Sequence, residues 1–349
     1  MAHVRTKRML ENALDRTNRR RLWISRIIFF LFSLLLSLLC GELVLRAFFA
    51  KRFSAQAEGA LMYRYDETLG WFPKANAYGT VVASRTISVT NNSKGFRGRL
   101  PATDGKPGIL FIGDSFTWGF DSEDSERFTD KLQAEHPEWN IYNCGVAGYG
   151  TDQEYLLLKR CFADYQPKLV VLVFCSDNDD MDNSSNVASG GYYKPYYTIN
   201  GGLFPNSING SLILNGVPVP RSERVFYAEH PFLSRSLFLR MFVRAWYKLT
   251  APPPNQATSL LGSVTGSLIK NMQVFVNNKG ASFAVAVEGP HQILEDFLGN
   301  NGIPFVDLTT FVPSHRYTRF GSHWTPEGQD FVCDKIERFI VDNKFMVPQ

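Results

Sequence analysis

The sequence predicts an α/β fold, a three-layer α/β/α sandwich with a mainly parallel central sheet, preceded by one transmembrane helix. Three features carry this prediction. From Gly108 onward, short apolar runs alternate with stretches of helical length. The run KLVVLVFC, Lys168 to Cys175, is apolar and β-branched throughout, the pattern of a strand covered on both faces. Ahead of both, Ile27 to Phe49 is long and apolar enough to cross a bilayer as a helix.

The N-terminal region divides by charge. Residues 1–26 form a basic tail, 27–49 the span, and 50–107 a lead-in to the α/β domain at 108–349. Arg16, Arg19, Arg20, Arg21 and Arg26 crowd the first flank against Lys51 and Arg52 on the second. The positive-inside rule then puts the tail in the cytoplasm and the long C-terminal part outside, as a single-pass protein. A cleaved signal peptide, with Ala55-Gln56-Ala57 as its small-residue site, is the competing reading. Glu42 and Arg46 interrupt the span near its far end, four residues apart on one helix face, placed to pair or to reach the interface.

In the lead-in, alternation over Val81 to Ser84 and Ile87 to Val89 predicts short strands, with Asn91-Asn92-Ser93 as a turn. Arg97, in GFRG, reads as part of a structural loop. The domain then opens with the strand GILFIGDS. A helix over Ser125–Ala134, a strand over Trp139–Cys144 and a helix over Thr151–Phe162 follow, then the strand at Lys168–Cys175. The rhythm breaks over about 181–235, rich in Asn, Gly, Ser, Tyr and Pro, where a cap or side-wall with small hairpins is expected. Leu237–Leu249 and Leu260–Asn278 read as helices, separated by the prolines of Ala251 to Pro254. The pattern resumes with a strand at Ser282–Val287, a helix at Gln292–Leu298 and a strand at Pro304–Leu308. A closing helix runs over Glu327–Asn343, behind Pro326.

Composition excludes several functions. The 349 residues carry a formal charge of +4, but much of the basic excess lies in the tail, and the near-neutral remainder offers no nucleic-acid face. The five cysteines form no CxxC pair or metal-ligand spacing. The acidic run Asp177, Asp179, Asp180 and Asp182 lacks a histidine or a complete calcium-loop pattern, so no metal is expected. Neither a dinucleotide fingerprint nor a phosphate loop is present, and no cofactor is expected.

Small polar residues gather at the C-terminal ends of the predicted parallel strands, where open α/β sheets carry their ligand sites. They are Gly113-Asp114-Ser115 in FIGDSFTWGF, Asn143, Gly145 and Gly148 in YNCGVAGYGTDQ, Asn178 and Asp179 in CSDNDD, and His323 in FGSHWTPEG. In order and position these blocks resemble the GDSL/SGNH hydrolase family. The lead-in NNSKGFRG after a single span resembles bacterial envelope members related to polysaccharide O-acetyl esterases and acetyltransferases. The resemblance implies Ser115 as nucleophile and His323 as its base. It also implies an oxyanion site built from the Ser115 and Gly145 amides and the Asn178 side chain.

One departure stands out. The family places an aspartate two or three residues before its histidine, where this chain has Gly321 and Phe320. Three readings stay open: a backbone carbonyl orients His323, another carboxylate does so with Asp307 the first candidate, or catalysis is reduced and the pocket binds. The implied function is an O-acyl esterase or O-acyltransferase on an acylated envelope or extracellular carbohydrate, at the bacterial inner membrane, with the catalytic part periplasmic. Transfer would call for an acyl donor, delivered by a partner membrane protein. A membrane-tethered glycan-binding or assembly protein and a lipid esterase are the alternatives.

Overall fold

The computed structural model describes residues 2–53, 62–100, 104–176, 179–183, 185–188, 190–200, 211–254, 263–319 and 321–347, which fall into two compact units.

The larger unit spans Gln56–Pro231 and Thr250–Gln349. Two antiparallel hairpins come first: β1 (Tyr63–Asp66) with β2 (Gly70–Pro73), and β3 (Tyr78–Val82) with β4 (Thr86–Thr90). The central sheet consists of β5 (Gly108–Gly113), β6 (Asn140–Asn143), β7 (Leu169–Cys175), β10 (Ser282–Glu288) and β11 (Phe305–Asp307). Its spatial order is β11-β10-β7-β5-β6, and every pairing is parallel. Between β7 and β10 the chain forms a third hairpin, β8 (Tyr196–Asn200) with β9 (Ser211–Asn215), inside the polar stretch where small hairpins were expected.

Strand alternation decides which helices lie on which face. Leu110, Ile112, Val170, Leu172, Phe174, Val285 and Val287 point one way. They pack against α4 (Thr151–Tyr165), α9 (Ser263–Asn277) and α10 (Gln292–Asn300) through Leu158, Ile269, Met272 and Leu298. Ile109, Phe111, Val171, Val173 and Ala286 point the other way, onto Phe128 and Leu132 of α3 (Phe128–Glu135) and Val332, Ile336 and Ile340 of α11 (Pro326–Asp342). Both faces of β7 are therefore buried, as its unbroken apolar run predicts. The helix expected over Ser125–Ala134 starts later, because Asp124–Glu126 form a 3-10 turn. The described residues of the unit also include the short helices α2 (Ser115–Trp118), α5 (Asp179–Asp182) and α6 (Glu223–Glu229) and a 3-10 turn at Pro313–His315.

The smaller unit comprises Met1–Ala55 and Phe232–Leu249. Its main element is α1 (Ala2–Phe53), within which Asn18–Phe48 is long and apolar enough to cross a membrane. The other elements are α7 (Pro231–Ser234) and α8 (Leu237–Thr250). Glu42 and Arg46 pair within α1 at 2.9 Å.

The first turn of α4 is acidic and fully buried. Asp152 pairs with Lys194, both without solvent exposure. Neither carboxyl oxygen of Glu154 has a hydrogen-bond partner among the described residues. Burial first, and then the negative charges of Asp114, Asp152 and Asp182, push the Glu154 carboxyl well above its ordinary value of 4.5. The folded protein thus keeps a proton that the unfolded chain releases above that value, so this group makes stability fall as pH rises. Glu154→Gln is expected to flatten that fall, read as denaturation midpoints at about pH 5 and about pH 8. Leu172→Ala, in the middle of the central strand, is expected to cost about 2–5 kcal/mol in the same assay.

Candidate active site

The chain leaves β5 at Gly113 and turns at once into α2, so Ser115 stands at the C-terminal edge of the sheet. Numbered along the chain, the five sheet strands lie in the order 2-1-3-4-5, so connections leave the first and third strands in opposite directions. The crevice opened by that reversal is where doubly wound sheets bind ligands, and Ser115 sits at its rim. Buried Asp114 fixes the turn, its Oδ1 accepting the Phe116 amide at 2.9 Å.

His323 Nε2 lies 2.9 Å from Ser115 Oγ, although the two residues are 208 positions apart. The ring is held from several sides. It stacks on Phe120 with centroids 4.6 Å apart and packs against Phe116 at 5.1 Å. The His323 carbonyl accepts the Tyr317 amide at 2.9 Å, and Arg316 bridges from the Ser322 carbonyl to the buried Glu288 at the end of β10. With its hydrogen on Nδ1, this imidazole can take the serine proton at Nε2.

The carboxylate facing Nδ1 is Asp121, which the sequence reading did not single out. Its Oδ2 is 3.7 Å from His323 Nδ1, ion-pair distance rather than a hydrogen bond. Both atoms are buried, and neither has a hydrogen-bond partner among the described residues. Asp121 comes from the turn after α2, in the left-handed region at φ 63°. Its Oδ1 accepts the Ser84 amide at 2.9 Å and the Arg85 amide at 3.3 Å, both from the β3–β4 turn. Burial alone would raise this carboxyl, but His323 and the Ser84 and Arg85 donors hold it below its ordinary value, so it stays ionised.

Arg97 secures the same turn. It is buried, donates to the Gly119 carbonyl at 2.7 Å and to the Ser122 carbonyl, pairs with Asp124 at 2.8 Å and lies over the Trp118 ring. Its role is structural, as read from the sequence, and the loop it holds carries Asp121.

Asp307, offered from the sequence as a substitute acid, does not occupy this place. It is exposed at the end of the edge strand β11 and accepts the Thr309 amide at 2.7 Å. Gly321, one of the two positions where the resemblance expects an aspartate, is closed to a side chain on steric grounds. Gly321 has φ 90°, and a Cβ there would come within 2.9 Å of His323 Cε1. The imidazole fills the space that a side chain at 321 would need.

The expected oxyanion residues differ in placement. Gly145 lies beside the nucleophile turn, but its amide donates to Asn143 Oδ1 at 3.0 Å. A Cβ at 145 would fall 2.4 Å from the Trp118 amide nitrogen, so close backbone packing, rather than the approach of a substrate, accounts for this glycine. Asn143 also ties Thr117 and Thr129, at 2.7 and 2.9 Å. Asn178 and Phe320 lie outside the described residues. Asp179 holds the start of that loop by accepting the Cys175 amide at 2.9 Å.

Ser115 and His323 open into a pocket of about 380 Å³. The lead-in supplies Met62, Trp71 and Val81 to its wall, α2 and its turn supply Trp118 and Phe120, and the insertion supplies Tyr192. Arg224 also lines it, its guanidinium 5.5 Å from the Tyr192 ring centroid. Of the tyrosines in YYKPYY, Tyr192 reaches the pocket, whereas Tyr197 is buried with Val264 and Leu268 of α9. His291 caps α10 instead of lining the pocket, its Nδ1 accepting the Leu294 amide at 3.1 Å.

No family model matches the chain, and no curated protein matches it. Among solved structures it is similar to a GDSL-like lipase from Bacteroides thetaiotaomicron, at 13% identity and TM-score 0.34, over 70% of this chain and 93% of that one. It is also similar to a member of the lipolytic protein G-D-S-L family from Veillonella parvula, at 10% and 0.36, over 66% and 96%. A third is a psychrotrophic esterase from Pseudoalteromonas, at 10% and 0.37, over 68% and 99%. At these values the likeness is one of outline, and the reading of the site rests on its own atoms.

Asp121→Asn is expected to lower kcat for ester hydrolysis by about 10²- to 10⁴-fold, as loss of an orienting carboxylate does in serine proteases. Asp307→Asn is expected to leave kcat unchanged, and adding Gly321→Asp to Asp121→Asn should not restore it. Steady-state hydrolysis of a small chromogenic ester by the three variants checks all of this.

Proposed function

We propose that the chain is a membrane-anchored serine esterase that acts through an acyl-enzyme on Ser115. The observation that carries the reading is the 2.9 Å contact between Ser115 Oγ and His323 Nε2 in the wall of a pocket, with the Asp121 carboxylate behind the ring. Ser115 Oγ attacks the ester carbonyl carbon as its proton passes to His323 Nε2, and the carbonyl π electrons move onto oxygen. Collapse of the tetrahedral intermediate breaks the bond to the alcohol oxygen, which receives that proton. Water then attacks the acyl-enzyme by the same route, releasing the acid and restoring the serine. Asp121 stabilises the imidazolium formed in each half.

The Ser115 amide is the first oxyanion donor in this scheme, with the Asn178 side chain as its proposed companion. The Gly145 amide contributes by sharing its hydrogen between the oxyanion and Asn143 Oδ1.

The proposed substrate is an acylated envelope or extracellular carbohydrate, with the acyl group inside the pocket and the hydrophilic alcohol toward solvent. Transfer to a second alcohol uses the same acyl-enzyme, the acceptor taking the place of water. The apolar wall of Met62, Trp71, Val81, Trp118 and Phe120 favours a second reading, a lipid ester whose chain fills that space. The reading places the α/β unit on the extracytoplasmic side, from the charge flanking the span.

The test is hydrolysis of acetyl and butyryl chromogenic esters, acetylated xylan and a lysophospholipid by the full chain in nanodiscs, beside Ser115→Ala. Serine-dependent turnover is expected to fall by at least about 10³-fold in the variant. Preference for the acetylated glycan over the lysolipid supports the carbohydrate assignment, and the reverse preference selects the lipid ester. Absence of serine-dependent release from every ester sinks the hydrolase.

A further inference from the structure

The helix α8, LFLRMFVRAWYKLT, is amphipathic with its apolar face turned outward. Leu239, Phe242, Trp246 and Leu249 share one side at helical spacing and are 41%, 62%, 66% and 85% exposed. Arg240, Arg244 and Lys248 recur every four residues on the opposite side. Just before α8, Phe232 of α7 is 80% exposed. Water is a poor solvent for such a face, which calls for an apolar neighbour.

Where α8 begins says what that neighbour is. The Glu42 carboxylate of α1 accepts the Leu237 and Phe238 amides, each at 3.0 Å, and the Ser236 hydroxyl at 2.9 Å. Arg46 Nε donates to the same carboxylate at 2.9 Å, and its guanidinium reaches back to the Arg235 carbonyl. An acid of the anchor thus caps the first turn of α8, whose free amides favour negative charge. Glu42 lies six residues before the C-terminal end of the apolar segment Asn18–Phe48. The capped helix therefore starts beside the last turns of that segment.

We propose that α8 lies in the interfacial layer of the same bilayer that α1 crosses, with Leu239, Phe242, Trp246 and Leu249 in the acyl region and Arg240, Arg244 and Lys248 on anionic lipid headgroups. Apolar burial holds the helix in the layer, and the long cationic side chains extend from its sides to the phosphates. Trp246 sits among residues that meet the boundary between acyl chains and headgroups, where the indole ring is favoured. Each cation near an anionic surface adds about 1 kcal/mol, so lipid charge modulates the attachment. The inference rests on α1 crossing a bilayer and is independent of the ester chemistry.

The test uses the full chain with Cys40→Ala, reconstituted in vesicles of phosphatidylcholine with or without phosphatidylglycerol. Cys40 is the exposed native cysteine, and the other four are buried. An environment-sensitive fluorophore is attached at Phe242→Cys or, separately, at Arg244→Cys. The expected result is a blue-shifted label at 242, quenched by nitroxide lipids at least about twofold more than the label at 244, and more strongly with phosphatidylglycerol present. Replacing Arg240, Arg244 and Lys248 by Gln should remove the dependence on phosphatidylglycerol for the label at 242. Equal aqueous iodide quenching at 242 and 244, without quenching by nitroxide lipids, overturns the proposal. So does a 242 label shielded from iodide yet untouched by nitroxide lipids, which assigns the face to a protein neighbour. Quenching that is the same in both vesicle types overturns the anionic-lipid part.

Discussion

An ionised carboxylate with no access to water has to be surrounded by donors, and the need to satisfy Asp121 organises the candidate site. Two donors are backbone amides of the β3–β4 turn, and the third partner is the ring it orients. The lead-in hairpin is therefore part of the machinery behind the histidine, although it is remote from the nucleophile in sequence. Arg97 adds a second tie from the lead-in by gripping the carbonyls on either side of Asp121. Its own charge is costly there: burial, then the nearby Arg127, bring the guanidinium down to about 10, and Asp124 offsets part of that cost.

The sheet explains why so few residues suffice. Strand order sends the connections of β5 and β7 apart, and the serine turn occupies the gap. The chain that would have to cover this gap comes from two segments outside the alternating pattern, the lead-in and the insertion. They interlock, with Trp71 on Tyr192 at 4.7 Å and the Val219 amide donating to the Glu67 carbonyl at 2.7 Å. Much of the pocket wall is thus built by parts of the chain that do not belong to the sheet layers.

Much of this was legible because it depends on short-range pattern. The apolar run of β7, the Gly-Asp-Ser turn and a histidine ahead of the last helix are local strings, and the structure brings Ser115 and His323 together. Asp121 was not legible, since nothing in GFDSED marks one acid as the buried one; its partners are a turn near residue 84 and a ring near 323. Gly321 was visible as a departure, but its cause is steric and needs the ring position. Gly145 was read as an oxyanion donor, whereas what requires a glycine there is the backbone of Thr117 and Trp118, which excludes a Cβ. The start of α3 slipped because the 3-10 turn at Asp124–Glu126 carries its own capping box, with the Glu123 and Glu126 side chains each accepting a backbone amide from the other end.

The carboxylate of Glu42 has a consequence for how the protein is made. Its serine partner at the start of α8 is 194 residues further along the chain. At ordinary synthesis speeds of about 5–20 residues per second, that is a delay on the order of ten to forty seconds. During it, Arg46 is the partner that α1 itself offers this acid among the described residues. Until then the Glu42 carboxylate lacks the Ser236 hydroxyl and the Leu237 and Phe238 amides, which arrive only with the chain beyond the insertion.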